Sequence, residues 1–298
     1  MIQRWMWKKS SVTVAAINMS RIAAVQMTSG GSLDSNLQQA AALVAQAVEQ
    51  GSELLVLPEY FAYHGCRDIA EIARNERDAS GPARQFLARM ARQHGIWLVG
   101  GTIPVAVDAE TGGDNRAAAS CFVVNPQGEE VACYQKIHLF DVDVDDARGS
   151  YRESDDYCHG SEPVVVDTPF GKLGLTVCYD LRFPELYRHL AGAGAEILLV
   201  PSAFTTATGE SHWELLLRAR AVENLCYVVG ANMGDRFHEK RPTWGGSAII
   251  DPWGVVLSDM ADGPGVVSAD INLNYLRKLR QKMPVHEHRR FSVVKTSD

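Results

Sequence analysis

Two short apolar runs, each cut off by a proline, restrict the fold of this chain more than any other feature. Leu54-Leu55-Val56-Leu57-Pro58-Glu59 and Ile197-Leu198-Leu199-Val200-Pro201-Ser202 share one pattern. Unbroken apolar runs of this length read as strands buried on both faces. Proline stops them because it has no N–H for the ladder. Their likeness suggests two similar α/β halves facing each other.

The neighbouring stretches fit such halves. Residues 21–27 read as a first strand. A helix capped by Asp34 or Ser35 runs to about Gln50, with Leu37, Ala40, Ala41, Val44 and Val48 on one face. A helix over 83–93 and a strand over 96–99 complete a βαβαβ pattern. Three hairpins turn on Pro and Gly: 120–125 with 130–135, 164–167 with 172–178, and 247–250 with 255–258. Helices over 183–191 and 212–224 flank strands over 197–200 and 226–231. Hairpins mixed with αβ units imply mixed sheets covered by helices. The expected fold is α/β, a four-layer α-β-β-α sandwich with two mixed sheets, in one domain over 19–298. Residues 1–18 read as a disordered extension, with Met19 as an alternative start. The charged stretch from about Tyr275 reads as a tail packed on the domain or on a partner subunit.

Composition removes several function classes. Apolar residues make up 46% of 298, enough for a sizeable core. A net charge of -7 opposes a general nucleic-acid binder. No apolar run approaches the ~20 residues of a membrane span. The six cysteines contain no Cys-x-x-Cys pair and read as reduced thiols of a cytoplasmic protein.

Three polar groups at strand ends are the candidates for chemistry, because such groups are rigidly held and accessible. Glu59 follows a wholly apolar run, so desolvation raises its pKa and suits it to act as a general base. Its bland alternative is a surface glutamate opening a loop. Lys136 ends a hairpin strand between apolar neighbours and can stabilise an oxyanion. Alone, it reads equally as an exposed strand lysine. Cys178 lies in Gly174 to Glu185, where a strand passes into a helix. The N–H groups and positive end of that helix favour thiolate, although most free cysteines are small buried hydrophobes. The nine histidines offer no paired base. His138 and His212 lie in apolar contexts and read as structural. His286 and His288 lack further ligands, so neither a metal nor a cofactor is expected.

Taken together, Glu59, Lys136 and Cys178 change the reading. Leu-Pro-Glu-Tyr at 57–60, Lys-Ile-His-Leu-Phe-Asp at 136–141, Gly-Leu-Thr-Val-Cys-Tyr-Asp at 174–180 and the 212–221 block His-Trp-Glu-Leu-Leu-Leu-Arg-Ala-Arg-Ala stand in order. The chain from about Arg21 to Phe291 thereby resembles the nitrilase superfamily of carbon–nitrogen hydrolases. The resemblance implies Glu59 as base, Lys136 as oxyanion support and Cys178 as nucleophile. It also implies Glu153 as a second glutamate beside the nucleophile, and the Tyr179 N–H as the other half of the oxyanion hole. Arg182-Phe183-Pro184-Glu185-Leu186, the 238–241 stretch and the 284–290 stretch look most like deaminated-glutathione amidases. The 136–144 stretch looks equally like ω-amidases. Both imply a substrate carboxylate, for which Arg182 is a contact. Arg182 reads equally as a structural partner of Glu185 or Asp180. Nitrilases and N-carbamoyl amino-acid hydrolases share the same three groups. A partner protein without activity, or a redox sensor using Cys178 with Cys158, are the non-hydrolase alternatives. The superfamily also implies a homodimer or higher homo-oligomer.

Overall fold

The protein, as a computed structural model, is described over residues 19–66, 68–107, 116–145, 148–238 and 241–292. The extension read over 1–18 lies outside the described residues. The chain begins with β1 (Met19–Gln26), α1 (Leu33–Glu49), β2 (Leu54–Val56), α2 (Ile69–Asn75), α3 (Pro82–His94), β3 (Trp97–Ala106), β4 (Ala117–Val124) and β5 (Glu130–Gln135). A short excursion adds β6 (Asp141–Asp143), β7 (Ser150–Arg152) and β8 (Tyr157–Cys158). The second half comprises β9 (Val164–Thr168), β10 (Gly171–Leu175), α4 (Pro184–Gly192), β11 (Ile197–Ser202), α5 (Thr206–Asn224), β12 (Tyr227–Asn232), β13 (Ala248–Ile250) and β14 (Val256–Asp259). Then β15 (Gly265–Asn272) returns to the first sheet and α6 (Leu273–Lys282) follows it.

One sheet has the order β15-β1-β2-β3-β4-β5, and the other β9-β10-β11-β12-β13-β14. Read in those orders, the pairings are the same in both: antiparallel, parallel, parallel, antiparallel, antiparallel. The two apolar runs become β2 and β11 and occupy matching places, but Pro201 does not end β11, which stays paired with β12 through Ser202. Both sheets are mixed, as their alternation of helix crossovers and hairpins requires.

Side-chain alternation then builds the layers. In the first sheet, Ala23, Val25, Leu55 and Leu98 face Leu43 and Val44 of α1 and Phe86 and Leu87 of α3. Their neighbours Ile22, Ala24, Leu54, Val56 and Val99 face inward, in one core with Leu173, Leu175, Ile197 and Leu199. Beyond the second sheet, Leu186 and Leu190 of α4 and Trp213 and Leu217 of α5 join that core. The result is the four-layer α-β-β-α sandwich. In α6, Leu276 is fully buried in the same core, while Arg277 pairs with Glu196 at 2.8 Å.

Several boundaries differ from the sequence reading. Ser32, not Asp34 or Ser35, caps α1, accepting from the Ser35 N–H. α5 begins at Thr206, six residues before the expected 212, with Thr205 as its cap. Gly209 reads as a helix breaker, yet a side chain there would put its Cβ 2.2 Å from Trp244 Cβ. The glycine lets Trp244 pack against the helix. β3 runs on to Ala106 through Gly100 and Gly101, where the register shifts. A Cβ at Gly101 would stand 2.0 Å from the Pro58 carbonyl oxygen, so this pair marks a close backbone approach. α2 was not anticipated. It is short, and Asp68 before it is left-handed with no capping bond.

Candidate active site

The chain segments leaving β2, β5, β10 and β11 meet at one end of the sandwich. Leu57 and Pro58 carry the chain past β2 to Glu59, which is 1% exposed and not the surface glutamate of the bland reading. Lys136 follows β5 directly and is also 1% exposed, so it is not a snorkelling strand lysine. Its Nζ donates to Glu59 Oε1 at 2.8 Å and to Glu153 Oε1 and Oε2 at 2.9 and 2.8 Å. One buried ammonium thus bridges two carboxylates. Burial lowers the lysine pKa, but the Glu153 and Glu59 charges override it and hold the group well above its ordinary value. The loop that brings Glu153 into place is closed by the β6–β7 pair. In it Glu153 Oε2 also accepts from the Phe140 N–H at 2.7 Å.

Cys178 does not sit at the mouth of an α-helix. It opens a 3-10 turn, Cys178–Arg182, and α4 starts only at Pro184. The expected stabilisation of thiolate by that helix is therefore corrected. The Cys178 thiol is pushed well above its ordinary pKa, first by burial and then by the Glu59 charge, while Lys136 and the Ala203 N–H pull it down. Burial likewise raises Glu59, against the charge of Lys136. Both shifts disfavour a free thiolate beside Glu59. Cys178 itself is left-handed, with φ 49°, a conformation that costs an ordinary residue about 1–2 kcal/mol and recurs at functional positions.

The segments that follow β2 and β11 come together here. The second oxygen of Glu59 accepts from the N–H of Ala203, just past β11, at 2.9 Å. Sequence reasoning missed that donor, because a backbone N–H leaves no trace in residue type. It also missed Tyr60. This residue is left-handed, with φ 58°. Its N–H donates to Thr102 Oγ1 and its hydroxyl to Glu153 Oε1, both at 2.9 Å. Its place beside Glu59 in Leu-Pro-Glu-Tyr was the available signal.

A cavity of about 200 Å³ opens over these groups. Glu59, Lys136, Glu153, Cys178, Tyr179 and Arg182 all line it. Tyr179 packs edge-on against Phe140 and Phe183, with ring centroids 5.1 and 5.3 Å away. The Arg182 guanidinium lies 5.5 Å from the centroid of the Phe204 ring, and its Nη1 is 3.2 Å from His212 Nδ1. It does not pair with Asp180, whose carboxylate binds Tyr134, His138 and the Val177 N–H instead. His138 is thus a satisfied structural histidine, as read. Cys158 does not line the cavity and donates to the Ala117 carbonyl. All six cysteines are free thiols. Among the described residues no cluster of His, Cys, Asp and Glu has the form of a metal site, and no helix is long and apolar enough to cross a membrane.

The sequence matches the carbon-nitrogen hydrolase family over residues 21–281. This chain belongs to that family. As a carbon–nitrogen hydrolase it is 44% identical over 271 residues to the deaminated glutathione amidase of Synechocystis sp., covering 90% of this chain and 97% of the relative. The human deaminated glutathione amidase is 42% identical over 283 residues, covering 94% and 85% of the two chains. Among solved structures, the C. elegans NitFhit protein matches with TM-score 0.83 and 35% identity, over 94% of this chain and 68% of that one. Saccharomyces cerevisiae Nit3, a member of branch 10 of the nitrilase superfamily, matches with TM-score 0.79 and 30% identity, over 92% and 97%. A variant amidase from Nesterenkonia sp. AN1, carrying acrylamide on its active site cysteine, matches with TM-score 0.71 and 29% identity, over 89% and 98%.

Proposed function

We propose that this carbon–nitrogen hydrolase is an amidase that cleaves the amide of a small carboxylate-bearing acid, deaminated glutathione foremost, through a cysteine thioester. The observation that carries this reading is the Lys136 ammonium, held between Glu59 and Glu153 beside the buried Cys178 thiol. Two names among the relatives support the substrate.

In this reading Cys178 attacks the amide carbon as Glu59 takes the thiol proton. The transfer removes the negative charge from Glu59 as sulfur begins to bond. A free thiolate beside a buried carboxylate is thereby avoided. Negative charge moves to the carbonyl oxygen, which Lys136 and the Tyr179 N–H receive. The first N–H groups of the 3-10 turn have no acceptor within it, so they are suited to an oxyanion. Glu59 then gives its proton to the departing amine, leaving the thioester. Water loses a proton to Glu59 and adds to the thioester carbon, and the acid departs as Cys178 regains a proton from Glu59. Glu153 holds the ammonium in place through both steps. Arg182 receives the substrate carboxylate by a charge-assisted bond.

A panel of substrates tests the reading: deaminated glutathione, α-ketoglutaramate, simple nitriles and N-carbamoyl amino acids, each with a Cys178→Ala control. Preference for deaminated glutathione is expected, with no turnover in the control. α-Ketoglutaramate preference would make the chain an ω-amidase, and nitrile or carbamoyl preference would overturn the amidase reading. We also assign the protein to the cytoplasm, consistent with its free thiols, and to a homodimer. Leu215 and Val222 of α5 are exposed, and so is Trp253, in a turn tied to the helix by the Arg218-to-Gly254 bond of 3.0 Å. Light scattering giving the mass of a single chain would remove the dimer.

A further inference from the structure

The site continues beyond the groups used so far. A side cavity of about 230 Å³ is lined by Ser29, Gly30, Gly31, His64, His238 and Arg241, with Gly65. His64, Gly65 and Arg241 also line the main cavity, so the two spaces adjoin. The ionisable side chains around the annex are one arginine and two histidines, with no Asp or Glu among the described residues that line it. Arg241 has no ion pair among the described residues; only its main-chain N–H is engaged, with His238 Nδ1 at 3.0 Å.

The annex lies apart from Arg182. Arg182 enters on the Cys178 turn and lies over Tyr179 and Phe204. Arg241 enters from the connection between β12 and β13. Its charge is felt at His64 and Cys66, on the loop that follows Glu59. Burial, with Arg241 and His238, pushes His64 down to about 4, so a neutral imidazole stands beside the guanidinium at neutral pH. A neutral imidazole adds no like charge beside the arginine and still offers a hydrogen bond.

The geometry points to Arg241 and His64 as a second carboxylate subsite, which receives an acid group on the amine side of the scissile amide. The substrate class is then an amide with a carboxylate on each side of the bond: one on the acyl part near Arg182, one on the leaving amine near Arg241. Deaminated glutathione, with its terminal glycine, belongs to that class. This assignment rests on the amidase reading for turnover, but not for binding.

Binding is therefore measured first, by calorimetry on the Cys178→Ala protein, with cysteinylglycine and with its C-terminal carboxamide. The acid is expected to bind at least about tenfold more tightly, the scale of one charge-assisted contact. Adding Arg241→Gln should erase the difference, and Arg241→Lys should restore part of it. Turnover follows on the otherwise unaltered enzyme. Arg241→Gln should raise KM at least about tenfold for deaminated glutathione, with kcat little changed, and leave the C-terminal carboxamide analogue unaffected. Equal binding of acid and amide, or equal loss on both substrates, would overturn the subsite. Clear discrimination in binding without any amide turnover would instead overturn the amidase reading and leave the subsite standing.

Discussion

Asp180 and His138 meet at 2.7 Å, carboxylate oxygen to ring Nδ1, and by that contact tie the nucleophile's turn to the lysine's strand end. Asp180 stands two residues past Cys178, and His138 two residues past Lys136. The same carboxylate accepts from the His138 N–H at 3.1 Å, the Tyr134 hydroxyl at 2.7 Å and the Val177 N–H at 2.8 Å. The ring of His138 stacks on Phe183 at 3.7 Å. Asp180 is fully buried, so its four contacts are protected from water.

Asp180→Asn tests whether this network sets the Lys136–Cys178 spacing. The amide has one acceptor oxygen, and its NH2 faces donors. The expected result is a loss of about 1–3 kcal/mol in stability and a fall in kcat of about 10²-fold, because small displacements of reacting groups are costly. KM should move much less. Steady-state kinetics and urea unfolding on the same variant check both. A loss of stability with unchanged kcat would make the network structural only.

Glu153 gives a sharper case, because it binds Lys136 through both oxygens. Removing the only partner of a buried charge costs about 3–5 kcal/mol, but without Glu153 the ammonium keeps Glu59 at 2.8 Å. Glu153→Ala should therefore lose less than that in denaturant unfolding. Glu153→Gln keeps an acceptor and the volume, and should lose less still while lowering kcat about 10²-fold. If the alanine variant were as stable as the parent, Glu59 alone would suffice to hold the ammonium.

How much of this was legible beforehand depended on what carries each feature. Glu59, Lys136 and Cys178 stood out because rare polar types ended apolar runs. Their strands are adjacent to segments far apart in sequence, yet the repeated Pro-stopped pattern pointed to two halves. Asp180 was in view as one letter of a motif, but three of its four contacts come from the distant 134–138 stretch. Only the folded register brings them together. The start of α5 was hidden because Gly209 looks like a breaker until Trp244 is placed against it. The thiol's state was misread for a similar reason. A helix was expected directly after Cys178, whereas a 3-10 turn intervenes and burial dominates.

The pH profile follows from the directions of the shifts. Turnover needs Glu59 ionised, and burial raises its pKa above the ordinary 4.5. The acid limb of kcat/KM should therefore lie above pH 4.5, with activity lost as pH falls through it. Lys136 is held well above its ordinary 10.5, so it should produce no decline on the alkaline side up to about pH 9. Rates measured from pH 4 to pH 9 on one substrate decide this. A limb below pH 4.5 would mean that Glu59 is not the base.

His64 makes a separate, thermodynamic prediction. Its ring lies near Tyr60, with centroids 6.1 Å apart, and faces the charges of Arg241 and His238. Its folded pKa, about 4, lies below the ordinary 6.5. Between those values the unfolded chain binds a proton that the folded protein does not. The associated stability is complete above pH 6.5 and is lost as pH falls toward 4. Partial solvent access reduces the full effect of the shift to about 1–3 kcal/mol. His64→Asn removes the titration, so its stability should fall less between pH 7 and pH 4.5 than the parent's. Urea unfolding at those two pH values, on both proteins, measures the difference. Parallel losses would show that His64 is protonated in the folded protein as readily as in the unfolded chain.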